Sequence, residues 1–128
     1  MWAGPEPGVS LDFLPEEREK PMPKYLLSVS YTLEGARGLR TEGGTKREHV
    51  VRLSVEGLGG KLESFYYALG EHDVITIVDV PDAVTVAALS LAVAASGAAR
   101  CSTTPLLSAE EMDHAAQRKT AYRAPGVG

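Results

Sequence analysis

The run Val74-Ile75-Thr76-Ile77-Val78-Asp79-Val80 constrains this chain more than any other stretch. Its residues are almost all β-branched, which favours a strand, and apolar side chains fall on both alternating faces. Leu26, Leu27 and Val29 give the same two-faced character to Lys24 to Tyr31, where Tyr25, Leu27, Val29 and Tyr31 alternate with Leu26, Ser28 and Ser30. A sheet built from such strands must be covered on both sides.

The intervening segments supply helices for one side. Thr32 can cap a short helical turn, and Gly43-Gly44 breaks that segment. Thr45 and Glu48 have capping-box spacing ahead of a helix with Val50, Val51, Leu53, Val55 and Leu58 favouring one face, closed by Gly59-Gly60. "KLESFYYAL", "GEHD" and "VITIVDV" then read as a tight antiparallel hairpin. Asp82 caps an alanine-rich helix, and Ala99 to Leu107 reads as a fourth strand with Pro105 in an edge-type position. Ser108 and Glu111 form a second capping box that opens a polar helix reaching about Ala121.

The resulting order, β-α-β-β-α-β-α, is the α+β pattern of a ferredoxin-like βαββαβ unit with an extra C-terminal helix and a four-stranded antiparallel sheet. Two helices cover one face only. The C-terminal helix has little apolar surface, so the expected cover for the other face is a second copy of the sheet, giving a homodimer or a higher oligomer built on it.

Length fits this single domain: 128 residues hold one proper core but not two. Residues 1–21 carry four prolines among charges without periodicity and read as a flexible arm. Met22-Pro23-Lys24 resembles a natural chain start, the folded domain is expected over residues 22–122, and residues 123–128 form a tail. A net charge of −4 offers no footprint for nucleic acid or an anionic membrane. Ala83 to Ala99 is apolar, yet it is interrupted by Thr85, Ser90 and Ser96 and falls short of the ~20 residues a span needs. With one cysteine, Cys101, and no secretory signal pattern, a cytoplasmic location is expected.

"MPKYLLSVSYTLEGARGL", "GGTKR", "GGKLESFYYALGEHDV" and "TTPLLSAEEM" together resemble the GYD-domain family over about Met22 to Tyr122. Gly70 and Asp73 match the glycine and aspartate for which the family is named, while His72 stands where its tyrosine is usual. The resemblance implies a dimeric α+β barrel. It implies no reaction, because the family's role is uncharacterised. A similar Gly-x-Tyr-Asp hairpin in the effector domains of leucine-responsive-type regulators, where small molecules bind near a subunit interface, suggests a comparable sensing site.

The expected function is therefore small-molecule binding near the hairpin or the dimer interface, with Gly70, His72, Asp73, Tyr66 and Tyr31 as candidate contacts. His72 can titrate near neutral pH, Asp73 can bind a polar group, and the tyrosines put hydroxyls on an apolar sheet. Each also has a structural account: glycine supplies the positive φ of a tight turn, aspartate bonds backbone across it, and tyrosines pack interfaces. Tyr66 and Tyr67 must face opposite sides. Thr45, Lys46 and Arg47 at a helix start are candidates for an anion, although no Walker pattern is present. Glu110, Glu111, Asp113 and His114 share a helix without the partners that would complete a metal site, and Cys101 has no recognisable base, so neither a metal nor another cofactor is expected. The alternative function is a cofactor-independent enzyme of the same barrel type, a monooxygenase, isomerase or dehydratase using Tyr66, His72 and Asp73.

Overall fold

A computed structural model describes residues 22–127. The arm expected over residues 1–21 lies outside the described residues, as does residue 128. The elements run β1 (Lys24–Tyr31), α1 (Leu33–Glu42), α2 (Gly44–Gly57), β2 (Lys61–Tyr67), β3 (Val74–Asp79), α3 (Ala83–Ala95), β4 (Ala99–Leu106) and α4 (Ala109–Gln117). The four strands form one sheet in the order β2-β3-β1-β4, with every neighbouring pair antiparallel. Tyr25 pairs with Val78 on one side and Pro105 on the other, so the two-faced strands β1 and β3 are central and the proline sits on an edge.

Alternation sorts the side chains cleanly. Tyr25, Leu27, Val74, Thr76 and Val78 are buried under the helical layer, while Leu26, Ile75 and Ile77 point to the opposite face and are only half-buried. Val55 of α2 and Val86 and Leu89 of α3 complete the core with Leu62 and Val80. Burying each such side chain contributes about 1.5–3 kcal/mol.

Thr32 caps a full ten-residue helix rather than a short turn: its Oγ1 accepts from the Gly35 N–H at 3.1 Å and donates to the Gly97 carbonyl at 2.8 Å. Gly35 lets α1 lie against the chain leading into β4, since a Cβ there would fall 1.9 Å from the Ala98 carbonyl oxygen. The capping box expected from Thr45 and Glu48 does not form. Gly43, at φ +93°, both ends α1 and starts α2, which places Thr45 inside the first turn, and the Glu48 carboxylate instead accepts from Arg52 at 3.0 Å. The α2 face is also less buried than its pattern suggests, with Val55 alone fully enclosed and Leu53 exposed.

β2 carries a bulge at Glu63: Leu62 pairs with Val78, but Ser64 pairs with Ile77. The extra residue shifts the phase of the strand, so Phe65 and Tyr67 face the helices and Tyr66 faces away. The hydroxyl of buried Thr76 donates to the Ser64 carbonyl at the bulge, giving that hydroxyl a partner inside the core.

α3 packs on β4 and α2 on β2. Both Asp82 and Ser108 cap as their sequences imply, Asp82 accepting from the Thr85 N–H at 2.9 Å and Ser108 forming the full capping box with Glu111. Every residue of α4 is exposed, and that helix does not fold back over the open face of the sheet. No helix among the described residues is long and apolar enough to cross a membrane.

Candidate functional site

α2 packs over β2 and α3 over β4, so the two helices stand apart above the central strands. The result is a cleft of about 590 Å³ on the helical side of β1 and β3. Its floor is Leu27, Val29, Val74 and Phe65, and its walls include Val50 and Val51 of α2 and Ala92 and Val93 of α3. The volume falls within the roughly 300–1,000 Å³ typical of small-molecule sites, and a mostly apolar lining with few polar groups is their usual chemistry.

The polar groups gather at the end of β1. Tyr31 lines the cleft beside Glu42 at the end of α1 and Arg47 at the start of α2. Arg47 donates to both oxygens of Glu42, from Nε at 2.5 Å and from Nη2 at 2.9 Å. This bidentate pair spans the one-residue junction at Gly43 and pins the two helices together. The Tyr67 hydroxyl donates to the Gly44 carbonyl at 3.0 Å, bracing α2 from below. Tyr67 and Phe65 meet edge to face with ring centroids 5.3 Å apart.

Burial, with the neighbouring Tyr67, raises the Tyr31 hydroxyl above its ordinary pKa of 10.0 despite the opposing pull of Arg47. Burial likewise raises Cys101 above 9.0, with the Ser90 hydroxyl partly offsetting it. Cys101 also lines the cleft, and both groups are therefore neutral at physiological pH.

The hairpin residues lie elsewhere. Asp73 Oδ2 accepts from the Tyr31 backbone N–H at 2.8 Å, and the Asp73 N–H donates to the Val29 carbonyl at 2.8 Å. Its carboxylate thus extends the β1–β3 ladder by one rung and bonds the neighbouring strand rather than its own turn. Residues 68–73 make a six-residue connection, closed by the Ala68 N–H on the Asp73 carbonyl at 2.9 Å, so the hairpin is looser than the tight turn expected. Gly70 does not occupy the positive-φ region, and a Cβ there would meet nothing within 4 Å. The turn therefore does not require a glycine.

His72 is half-buried on the open face, its Nδ1 3.2 Å from Ser30 Oγ. Tyr66 is on the same face and 70% exposed. Of the expected ligand contacts, Tyr31 alone reaches the cleft; Gly70, His72, Asp73 and Tyr66 do not line it. Of the anion candidates, Arg47 reaches the cleft but is paired with Glu42, and Thr45 and Lys46 are exposed outside it. Glu111 is occupied by its capping box, and no group of three or more His, Cys, Asp or Glu residues able to hold a metal occurs among the described residues.

Phe65 and Glu42 are parts of this region that sequence patterning did not single out, and for Tyr66 and Tyr67 it gave opposite faces without saying which ring meets the helices. The Phe65 and Tyr67 orientations depend on the bulge, and Glu42 sits five residues before Arg47 across a helix break, outside the spacings that mark helix pairs.

An antiparallel four-stranded sheet with helices on one face and an apolar cleft beneath them defines an α+β protein with room for a small molecule. The GYD domain family model matches residues 25–116, and the chain belongs to that family. No curated protein and no solved structure matches the chain significantly.

Proposed function

We propose that this protein is a ligand-binding homodimer that holds a small, largely apolar molecule in the cleft between its sheet and its helices. The observation that carries the reading is the cleft itself, about 590 Å³ and lined by apolar side chains from β1, β3, α2 and α3, with Tyr31 at one end. The hairpin enters indirectly: Asp73 holds the backbone of the strand end that carries Tyr31.

The strand order β2-β3-β1-β4 and the connections between strands support a ferredoxin-like arrangement, with α1 and α2 together filling its first crossover. Half-buried Leu26, Ile75 and Ile77 on a face that α4 leaves open support sheet-to-sheet pairing as a dimeric α+β barrel. Tyr66, His72 and Asp73, the residues an enzyme of this type would use, do not line the cleft, which favours binding over catalysis.

Native mass spectrometry of protein purified from its source tests the binding reading. A retained small molecule is expected in the native chain and lost in Ala92→Trp, which fills the cleft; retention unaffected by that substitution places the ligand elsewhere. Light scattering tests the assembly, with a monomer at micromolar concentration counting against it.

A further inference from the structure

The ion pair lining the cleft bears on the kind of molecule that can enter. Among the described residues, the charged side chains lining it are Glu34, Glu42 and Arg47, so the lining carries one more negative than positive charge. Its one cation is committed: both Glu42 oxygens accept from Arg47. An anionic ligand would have to compete with Glu42 for that guanidinium or leave its own charge uncompensated against apolar walls, and either course is costly. The Tyr31 hydroxyl differs. It lines the cleft and has no hydrogen-bond partner among the described residues, and burial keeps it protonated, so it remains free to donate or accept.

We infer that the cleft takes an uncharged, mainly apolar molecule with a hydroxyl or carbonyl at one end, oriented by the Tyr31 hydroxyl, and discriminates against carboxylates through the Glu42–Arg47 pair. This rests on the cleft being the ligand site. Glu42 then acts as a specificity-determining residue without touching the ligand, by occupying the one cation that would attract an acid.

A matched pair of fluorescent probes, 1-pyrenebutanol and 1-pyrenebutyrate, tests this on the full chain, since they share a skeleton and differ at the polar end. The alcohol is expected to bind at least about tenfold more tightly than the carboxylate, as a buried uncompensated charge costs more than one decade of affinity. Tyr31→Phe should weaken the alcohol about fivefold, the worth of one hydrogen bond, and Glu42→Gln should narrow the ratio of alcohol to carboxylate affinity by freeing Arg47. Equal or tighter binding of the carboxylate to the native chain, sensitive to Ala92→Trp, overturns the ligand class and leaves the site standing. Binding of neither probe, or binding of the alcohol that Ala92→Trp does not reduce, overturns the site and this inference with it.

Discussion

The Asp73 carboxylate accepts a 2.8 Å hydrogen bond from the backbone N–H of Tyr31, six residues of hairpin away from β2 and directly across the sheet from the end of β1. Beyond Val29 and Val74 the two strands no longer pair through backbone alone, and the side chain supplies the next rung. The same residue whose N–H is held presents its ring to the cleft. Sequence, local structure and site meet at this contact.

Asp73→Ala should lower stability by about 1–2 kcal/mol, the worth of a hydrogen bond to a charged group at a half-exposed position. Asp73→Asn retains an acceptor and should lose less. Denaturant unfolding measures the stability. Probe affinity in the cleft should fall along with it, because the strand end bearing Tyr31 is freed; a loss of stability with unchanged affinity would separate the contact from the site.

Two glycines should behave in opposite ways. Gly35→Ala sets a Cβ 1.9 Å from the Ala98 carbonyl oxygen, so α1 must move, at a cost of about 2–3 kcal/mol. Gly70→Ala meets open space at an ordinary φ and should change stability by less than about 0.5 kcal/mol. Thermal melts of both variants decide it. A large loss at Gly70 would mean that the hairpin is held by something other than its own conformation.

Alkaline pH should destabilise the protein. Burial raises Cys101 above 9.0 and Tyr31 and Tyr67 above 10.0 in the folded chain, so the unfolded chain releases these protons first. Stability from these groups is complete below about pH 9 and declines as pH rises through the raised folded values. Melting temperatures between pH 8 and pH 11 should fall, and Cys101→Ala should remove the earliest part of the decline. A flat profile would contradict the burial of Cys101 and Tyr31.

Ile75→Glu places a carboxylate on the open face between Ser28 and Tyr66, away from the cleft. It should break the proposed dimer into monomers in light scattering and leave the cleft's affinity for a neutral probe largely intact. Loss of binding with loss of the dimer would instead place the ligand at the interface.

Much of the fold could be read from residue order. Alternation in β1 and β3 determined both faces, and Asp82 and Ser108 cap as their spacing implies. The site was harder to read because its decisive features are register and pairing. A single extra residue at Glu63 decides which aromatic rings of β2 reach the cleft, and no local pattern marks it. Gly43 serves two helices at once, which cancels the Thr45–Glu48 box and brings Glu42 to Arg47. Asp73 was recognisable as a key residue, but its partner lies on another strand, 42 positions away in sequence.

Backbone amide mapping by NMR, with the uniformly labelled protein titrated with 1-pyrenebutanol, shows where the small molecule sits. Binding in the cleft should concentrate the perturbations on Leu27, Val29, Tyr31, Ala92 and Val93. Perturbations centred instead on Tyr66, His72, Ile75 and Ile77, on the open face, would contradict it.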